Sequence, residues 1–407
     1  MGRDGKGKVR RRRVFYIPGY DPIHPRRYRE LYRKEGAAQA AISGYELALS
    51  PRTGTGRYGW HVRAQIDGAS IDADVEVLVW SDIVRDSMSN GIAATYAQLV
   101  RTAWTYIGTG ALWRLMRLRK GPLIAALYPV GMLLVQLAVA VALGGVLLWV
   151  GAAVGGLVGA LAGAVLGAGV AVAVLRWFKA RDGKLFAYYL MHDYAYSAQL
   201  RGAIPPELEA RMAAFGAVIA AALKEDVEEV LVVGHSSGAH LAVSVLADTI
   251  RAGQVPEDGP ALGFLSLGQV VPMVSFLPDA WRLRADLAYL AQSDALAWVD
   301  VTAPGDGCAF ALCDPVAVTG VAPAGKRWPL VFSAAFSQTL SPERQAELKR
   351  RYFRLHFQYL CAFDRPKDYD YFQITAGPLT LADRYRGRPA SRSRMTRAVS
   401  KYTSVTP

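Results

Sequence analysis

The sequence predicts an α/β fold: a mostly parallel sheet flanked by helices, with an inserted transmembrane helical hairpin. Short runs rich in valine and leucine alternate with amphipathic segments of helical length, a pattern typical of parallel strands covered by helices. One continuous segment, residues 121–175, contains no charged residue. At 407 residues the chain is long enough for one large α/β domain that carries such an insertion.

Charge and composition divide the chain into five expected segments. These are a basic disordered tail at 1–13, the first part of the α/β domain at 14–90, an insertion at 91–184, the second part of the domain at 185–383, and a basic disordered tail at 384–407. Each tail holds seven basic residues and the first also holds Asp4, so the tails carry +6 and +7 and account for the whole net charge of +13. Because the globular part has no basic excess, no nucleic-acid partner is expected.

The uncharged segment is the expected membrane anchor. A span needs about 20 apolar residues, so we expect two spans, at about 123–150 and 151–175. The turn between them is expected either at Gly144 and Gly145 or within residues 151–156. A soluble, buried helical hairpin is the alternative, which the length and the lack of charge disfavour. Tryptophans and basic residues in 91–120 suit a helix that lies along the bilayer interface.

Small residues recur on one face of the second span. A glycine ridge allows a neighbouring helix to approach closely, and the simplest partner is the first span, although the ridge could also form a homodimer. The ridge consists of Gly151, Gly155, Gly159, Gly163 and Gly167.

Basic residues flank both ends of the uncharged segment, and the positive-inside rule then predicts that both ends and both termini are cytoplasmic. The expected location is a bacterial inner membrane. The flanking residues are Arg114, Arg117, Arg119 and Lys120 before the segment, and Arg176, Lys179, Arg181 and Lys184 after it. Three cysteines without a C-x-x-C pair fit a reducing compartment.

The stretch EVLVVGHSSGAH, residues 229–240, joins an apolar strand pattern to a helical pattern through a serine flanked by glycines. A serine at so sharp a turn is strained, and its neighbours Gly234 and Gly238 must be small. The alternative is a glycine-rich connection whose serine only caps the helix. The stretch resembles the nucleophile elbow of the α/β-hydrolase family, in its serine esterase or lipase-like form.

The resemblance implies a Ser-Asp-His triad in that chain order. Ser236 is the implied nucleophile, and His356 is the implied base because the other histidines precede or adjoin the elbow. Asp306 follows the strand expected at 296–302 and looks like the family's acid. Asp300 and Asp314 are weaker alternatives for that acid, and a core histidine on an aromatic strand is the alternative reading of His356.

The resemblance also implies an oxyanion hole formed by two backbone amides. The Ser237 amide is one expected donor, and the Tyr20 amide, in a loop shaped by Gly19 after the strand at 14–17, is the other. Many relatives have His-Gly where this chain has Pro-Gly, so a plain strand-end turn is the alternative there.

The implied function is a membrane-anchored serine hydrolase that cleaves an ester-type bond of a lipid or another hydrophobic substrate. An acyltransferase with the same triad and a non-catalytic membrane scaffold with this fold are the alternatives. The chain has no dinucleotide-binding glycine motif after a strand, no Walker loop and no metal-ligand spacing, so no cofactor and no metal are expected.

Overall fold

A computed structural model of the protein describes residues 9–52, 57–88 and 91–407. Eight strands in these residues form one mixed sheet, mostly parallel. They are β1 (Arg11–Ile17), β2 (Glu46–Pro51), β3 (Gly59–Ile66), β4 (Ala69–Val77), β5 (Glu229–His235), β6 (Ala261–Leu267), β7 (Ala297–Thr302) and β8 (Leu330–Ser333). Their order is β2-β3-β4-β1-β5-β6-β7-β8, so the predicted α/β class with a mostly parallel sheet is confirmed.

The helices fall into three groups along the chain. Before and within the insertion lie α1 (Arg26–Ser43), α2 (Ser81–Met88), α3 (Ile92–Gly108), α4 (Ala111–Leu115), α5 (Lys120–Ala180) and α6 (Asp182–Leu185). Around the middle strands lie α7 (Ala187–Ala198), α8 (Pro206–Ala222), α9 (Gly238–Arg251), α10 (Pro272–Ser275) and α11 (Trp281–Leu290). The last third contains α12 (Pro315–Thr319), α13 (Phe336–Thr339), α14 (Pro342–Leu348), α15 (Tyr352–His356), α16 (Tyr371–Ala376) and α17 (Leu381–Arg384).

The central strands are buried on both faces. β5 and β7 are buried along their whole length, and their sequences EVLVVGH and AWVDVT are nearly continuous apolar runs, as parallel strands covered on both sides require. Helices α8, α9 and α11 contribute to the core on one face, and α1, α16 and α17 contribute on the other. The carboxyl ends of β1, β5, β6 and β7 lie side by side at one edge, where sites on parallel sheets form.

One helical segment, α5, is long and apolar enough to cross a membrane. Its backbone leaves the helical conformation at Gly155 and Gly156, inside the second of the two turn positions expected from the sequence. Backbone atoms on either side of this break are in contact, since a β-carbon added at Gly144 would lie 2.7 Å from the carbonyl oxygen of Gly167. In a straight helix these two glycines would be more than about 30 Å apart, so α5 is bent back on itself.

The ridge was expected wholly in the second span, but Gly151 lies before the break, in the first half of α5, and packs against the ridge glycines that follow the break. Gly159 lies against Gly151, and Gly167 lies against Gly144. Gly155 has nothing within 4 Å of an added β-carbon because it belongs to the bend. Four of the five ridge glycines therefore allow close packing within the chain.

The two expected tails require correction. Strand β1 begins at Arg11 rather than at residue 14, because the buried Arg12 is paired with Glu229 at 2.5 Å and so enters the sheet without an unpaired charge. Residues 1–8 of the N-terminal tail lie outside the described residues.

The segment 384–407 is packed on the domain, in place of the expected disordered tail. Met395 and Leu312 pair through their backbones at 2.7 Å, the Val399 amide donates to the Val318 carbonyl at 2.9 Å, and the Arg284 guanidinium donates to the carbonyl of Ser404 at 2.6 Å. The basic side chains predicted a solvated arm, but backbone groups of this segment form hydrogen bonds with the α/β domain.

Candidate active site

Ser236 lies in the strand-to-helix turn between β5 and α9. Its φ is +56°, a left-handed conformation that is uncommon for a residue with a side chain and strained for one that is not stabilised by its surroundings. A β-carbon added at Gly234 would lie 2.8 Å from the Cα of Ala239, and one at Gly238 would lie 2.6 Å from the carbonyl oxygen of Pro18. Both flanking positions therefore require glycine for the close approach of backbone, as the elbow pattern predicts.

The turn is fixed by its neighbours in the sheet. The Ser236 amide donates to the Leu267 carbonyl at 2.9 Å, which ties the turn to the end of β6. On the other side, a β-carbon added at Gly19 would lie 2.9 Å from the Ser236 Cβ and 3.3 Å from its Oγ. The serine hydroxyl therefore faces the loop that follows β1, and the side chain is partly exposed.

Asp306 and His356 form a buried, hydrogen-bonded pair. His356 Nδ1 donates to Asp306 Oδ2 at 2.7 Å, although the two residues are fifty positions apart. Asp306 follows β7, and His356 ends the short helix α15, so the alternative reading of His356 as part of an aromatic strand is wrong. The bond orients the ring and leaves Nε2 as the second ring nitrogen for proton transfer.

Further donors stabilise the Asp306 carboxylate. Tyr359 Oη donates to Oδ2 at 3.0 Å, and the Cys308 amide donates to Oδ1 at 2.9 Å. Burial works to raise the pKa of Asp306, but the charge and hydrogen bond of His356, together with these two donors, bring that pKa below its usual value. Asp306 is thus ionised at neutral pH, as the orienting acid of a triad requires.

His356 packs against the elbow through its neighbour His235. His235 Nε2 donates to the carbonyl of His356 at 3.0 Å, and the two imidazole centroids are 4.8 Å apart. Burial is the main cause that lowers the pKa of His235 to about 3, so its ring is neutral and acts as a structural donor. A β-carbon added at Gly268, which follows β6, would lie 3.0 Å from His356 Cε1.

A hydrogen bond joins Asp306 directly to His356, but among the described residues no hydrogen bond joins His356 to Ser236. His356 Nε2 is buried and has no hydrogen-bond partner within the part of the chain that the structure describes. The His356 ring nevertheless lies beside His235 and Gly268, and the Ser236 amide bonds the Leu267 carbonyl. His356 and Ser236 therefore both lie at the carboxyl end of β6. Catalytic hydrogen bonds are often long before substrate binds.

The two weaker candidates for the acid have other roles. Asp300 lies within β7 and accepts a hydrogen bond from Ser266 Oγ at 2.6 Å. Asp314 caps helix α12 and pairs with Lys326 at 2.6 Å. Neither carboxylate bonds His356, so Asp306 is the carboxylate that meets the imidazole.

The loop after β1 brings a second backbone amide to the elbow. Trp80 Nε1 donates to the carbonyl of Pro18 at 2.9 Å, and the hydroxyl of Tyr189 donates to the carbonyl of Tyr20 at 2.5 Å. These bonds fix the loop, while the amides of Tyr20 and Ser237 donate to no backbone acceptor among the described residues.

One cluster in the site has the residue types of a metal centre. Ligand atoms of Asp306, Cys308 and His356 lie within 4.8 Å of one another. The Asp306–His356 hydrogen bond already uses two of these atoms, and burial, followed by the charge of Asp306, raises the pKa of the Cys308 thiol. A protonated thiol is a poor metal ligand, so the cluster fits an acid–base pair better than a metal centre.

Sequence reasoning missed several residues of this site. Tyr359, three positions after His356, bonds the acid, and Tyr189 and Asp193 on α7 reach the loop and the cavity beside Ser237. The aromatic run YFRLHFQYL and the acid within AYYLMHDYAYSA were the only signals, and neither spacing distinguishes a site residue from a core residue.

Comparison with known proteins adds no further assignment. No family model matches the chain, and neither any curated protein nor any solved structure matches it.

Proposed function

We propose that this protein is a membrane-anchored serine hydrolase of α/β-hydrolase type that cleaves an ester-type bond. The observation that carries the proposal is the buried Asp306–His356 pair beside a serine with a φ of +56°. A strained serine between two obligatory glycines has a structural cost, and such strain persists where it exposes a reactive hydroxyl.

In the proposed reaction, Ser236 Oγ attacks the ester carbonyl while His356 Nε2 takes the hydroxyl proton. The amides of Ser237 and Tyr20 stabilise the tetrahedral oxyanion. Its collapse breaks the bond to the alcohol oxygen, which takes the proton from His356, and leaves an acyl-serine. Water, deprotonated by His356, then releases the carboxylic acid and restores Ser236, while Asp306 holds the imidazole throughout.

We further propose that α5 crosses a membrane twice, with the α/β domain and both termini in the cytoplasm. The bend at Gly155 and Gly156 and the contact between Gly144 and Gly167 support two antiparallel halves. Basic residues at both ends support the orientation. The same contacts favour packing of the glycine ridge within one chain over its use in a homodimer.

Exposed apolar side chains support an interfacial position for α3 and α4. Trp104 is 79% exposed and Trp113 is 55% exposed, and large apolar residues on α3 and directly after α4 are also open to solvent. These are Val100, Ile107 and Met116. A headgroup layer would cover such a patch, since tryptophan prefers that region.

The chain near the start of α5 and just beyond its end contacts the segments that carry Asp306 and His356. This position supports a lipid ester as substrate. Near the start of α5, Gly121 lies against Gly307, one residue after the acid; an added β-carbon would lie 3.0 Å from the Gly307 Cα. Beyond its end, the ring of Phe186 lies 4.9 Å from that of Phe353 on α15, the helix that ends at His356. A site beside the hairpin base would open at the bilayer surface, where an ester carbonyl of a lipid lies.

A fluorophosphonate probe tests the proposal, because it reacts with an activated serine. We expect the purified, detergent-solubilised protein to be labelled and Ser236→Ala to lose all labelling, with Ser237→Ala as a matched control that keeps it. Failure of the folded wild-type protein to react would favour a non-catalytic scaffold. Product analysis with a panel of lipid esters, with and without an added alcohol, would then separate hydrolysis from acyl transfer.

A further inference from the structure

A small cavity lies beside the proposed oxyanion hole, and its lining is chemically unusual. It offers about 40 Å³ to water-sized groups, and both Tyr20 and Ser237 contribute to its wall. Most of the remaining wall is apolar, including Leu208, Met212 and Val274. The cavity is large enough to hold a polar group of a few atoms.

Two buried atoms on this wall, and the carboxylate of the half-buried Asp193, have no partner among the described residues. The Oη of Tyr196 and the Nδ1 of His240 are buried and form no hydrogen bond with a described residue. The carboxylate of Asp193, on α7, forms neither a hydrogen bond nor an ion pair within the described ranges. Buried polar atoms are normally satisfied, so two unsatisfied atoms beside an unpaired carboxylate make this cavity a candidate binding site.

The electrostatics of the cavity favour a cation. Burial raises the pKa of Asp193 to about 7, and only the charge of His356 acts in the opposite direction. Burial also lowers the pKa of His240 to about 4, so that ring is neutral and its Nδ1 is able to accept a hydrogen bond. Asp193 is half-buried and has no counter-charge beside it, so its ionised form is stabilised when a cation joins it.

Aromatic rings complete the wall. The rings of Tyr20, Trp80 and Tyr196 lie 5.8 to 6.3 Å from one another, measured between centroids, and all three line the cavity. Aromatic faces attract cations through the negative potential above the ring. A carboxylate surrounded by such rings is a combination that recognises an organic ammonium.

We propose that this cavity binds an ammonium group of the ester substrate, with Asp193 as its principal partner and with Tyr196 and His240 as further acceptors. An ammonium group donates three hydrogen bonds and accepts none, which matches a wall of acceptors. The substrate is then an amphiphilic ester whose cationic group lies within a few ångströms of the scissile carbonyl. Only this assignment to the substrate rests on the proposed function; the binding site itself does not.

Binding is tested with the Ser236→Ala protein, so that the result does not depend on catalysis. We expect n-butylammonium chloride to raise its thermal unfolding temperature and 1-butanol, of similar size, to have no such effect at matched ionic strength. Adding Asp193→Asn should weaken the apparent ammonium affinity at least tenfold. Adding Asp279→Asn, which removes an exposed carboxylate outside the cavity, should leave the affinity unchanged.

Equal effects of the ammonium and the alcohol, or an unchanged affinity in the Asp193→Asn protein, would overturn the inference. If Asp193→Asn does not fold, Tyr196→Phe removes only one acceptor and should weaken binding severalfold; unchanged binding there would count against the site. In wild-type protein, butylammonium should also slow fluorophosphonate labelling. Ammonium binding without any labelling of wild type would refute the proposed function and leave the cation site intact.

Discussion

At the scale of single residues, the site depends on how one buried carboxylate is satisfied. Asp306 accepts hydrogen bonds from His356, Tyr359 and the Cys308 amide. Tyr359 Oη in turn accepts from the amide of Ala303 at 2.9 Å, so its hydroxyl proton is directed at the carboxylate. A buried anion with several donors stays ionised, and it fixes the ring of His356 for proton transfer.

Asp306→Asn is expected to lower the rate of ester hydrolysis by about 10⁴-fold, because the amide no longer holds the required tautomer of His356. Tyr359→Phe, which removes one of several donors, should lower it by about tenfold. Steady-state kinetics with a p-nitrophenyl ester measures both. Asp300→Asn is the matched control and should stay within a few-fold of wild type, because Asp300 does not bond His356; a large loss there would contradict the assignment of the acid.

Asp300 gives a separate prediction about stability and pH. Burial raises its pKa to about 8, with the Ser266 hydroxyl lowering it and the charge of Asp314 raising it. The folded state therefore keeps the Asp300 proton up to about pH 8, whereas the unfolded state loses it near pH 4. The protonated Asp300 thus contributes fully to the free energy of unfolding below pH 4, and this contribution is lost as the pH rises to 8.

The Asp300→Asn variant does not titrate at this position. Its free energy of unfolding should therefore rise relative to wild type between pH 5 and pH 8, by up to about 1.4 kcal/mol per pH unit, and level off above pH 8. Urea titrations in detergent at several pH values measure the difference. A difference independent of pH would mean that Asp300 is ionised in the folded protein.

At the scale of elements, α7 connects the end of α5 to the proposed oxyanion hole. The Asp182 carboxylate, just after α5, accepts from the amides of Tyr188 and Tyr189 at 2.8 and 2.9 Å and so fixes the start of α7. The hydroxyl of Tyr189 then bonds the carbonyl of Tyr20. A single helix thus sets the position of the loop that follows β1, and it also carries Asp193.

The packing of the two halves of α5 is tested by paired glycine variants. Gly167→Leu should reduce stability by about 1–3 kcal/mol, because an added side chain would meet the backbone of Gly144. Gly169→Leu should have little effect, since nothing lies within 4 Å of a β-carbon added there. Thermal unfolding in detergent compares the two. Equal losses would contradict the close contact between the halves.

At the scale of the whole molecule, the bent apolar segment α5 interrupts the α/β domain, and the chain returns to the domain within a short distance of where it left. Arg119 donates to the carbonyl of Ala311 at 2.7 Å, and Tyr128, inside α5, donates to the carbonyl of Leu185 at 2.7 Å. The first bond holds the start of the hairpin against the domain, and the second joins α5 to the chain that follows its end. The proposed active site and the proposed bilayer surface are therefore adjacent.

The topology predicts a clear labelling pattern in cells. In a protein whose native cysteines are replaced, Arg3→Cys and Lys401→Cys should react with a membrane-impermeant maleimide only after the cells are permeabilised. Val154→Cys lies next to the bend, is 86% exposed and should react in intact cells. Labelling of either terminus from outside, or protection of position 154, would contradict the two proposed spans.

Some features of this protein were readable from the sequence because they are local. The strained serine, its two glycines and the flanking strand and helix lie within consecutive residues, so short-range sterics dictate the turn at Ser236. The uncharged run that became α5 was equally plain, since hydropathy over a long window needs no knowledge of tertiary contacts. The alternation of strands and helices predicted the α/β class for the same reason.

Only the tertiary structure decided which distant groups meet. Asp300, Asp306 and Asp314 lie close together in sequence, and the path of the chain after β7 determines that Asp306 faces His356. The order of residues 384–407 and the cavity at Asp193 were likewise hidden, because a basic tail and an acid on a helix have the same sequence pattern whether they are packed or solvated. The physical reason is that hydrogen bonding and burial depend on contacts between residues far apart in the chain, which local patterns do not encode.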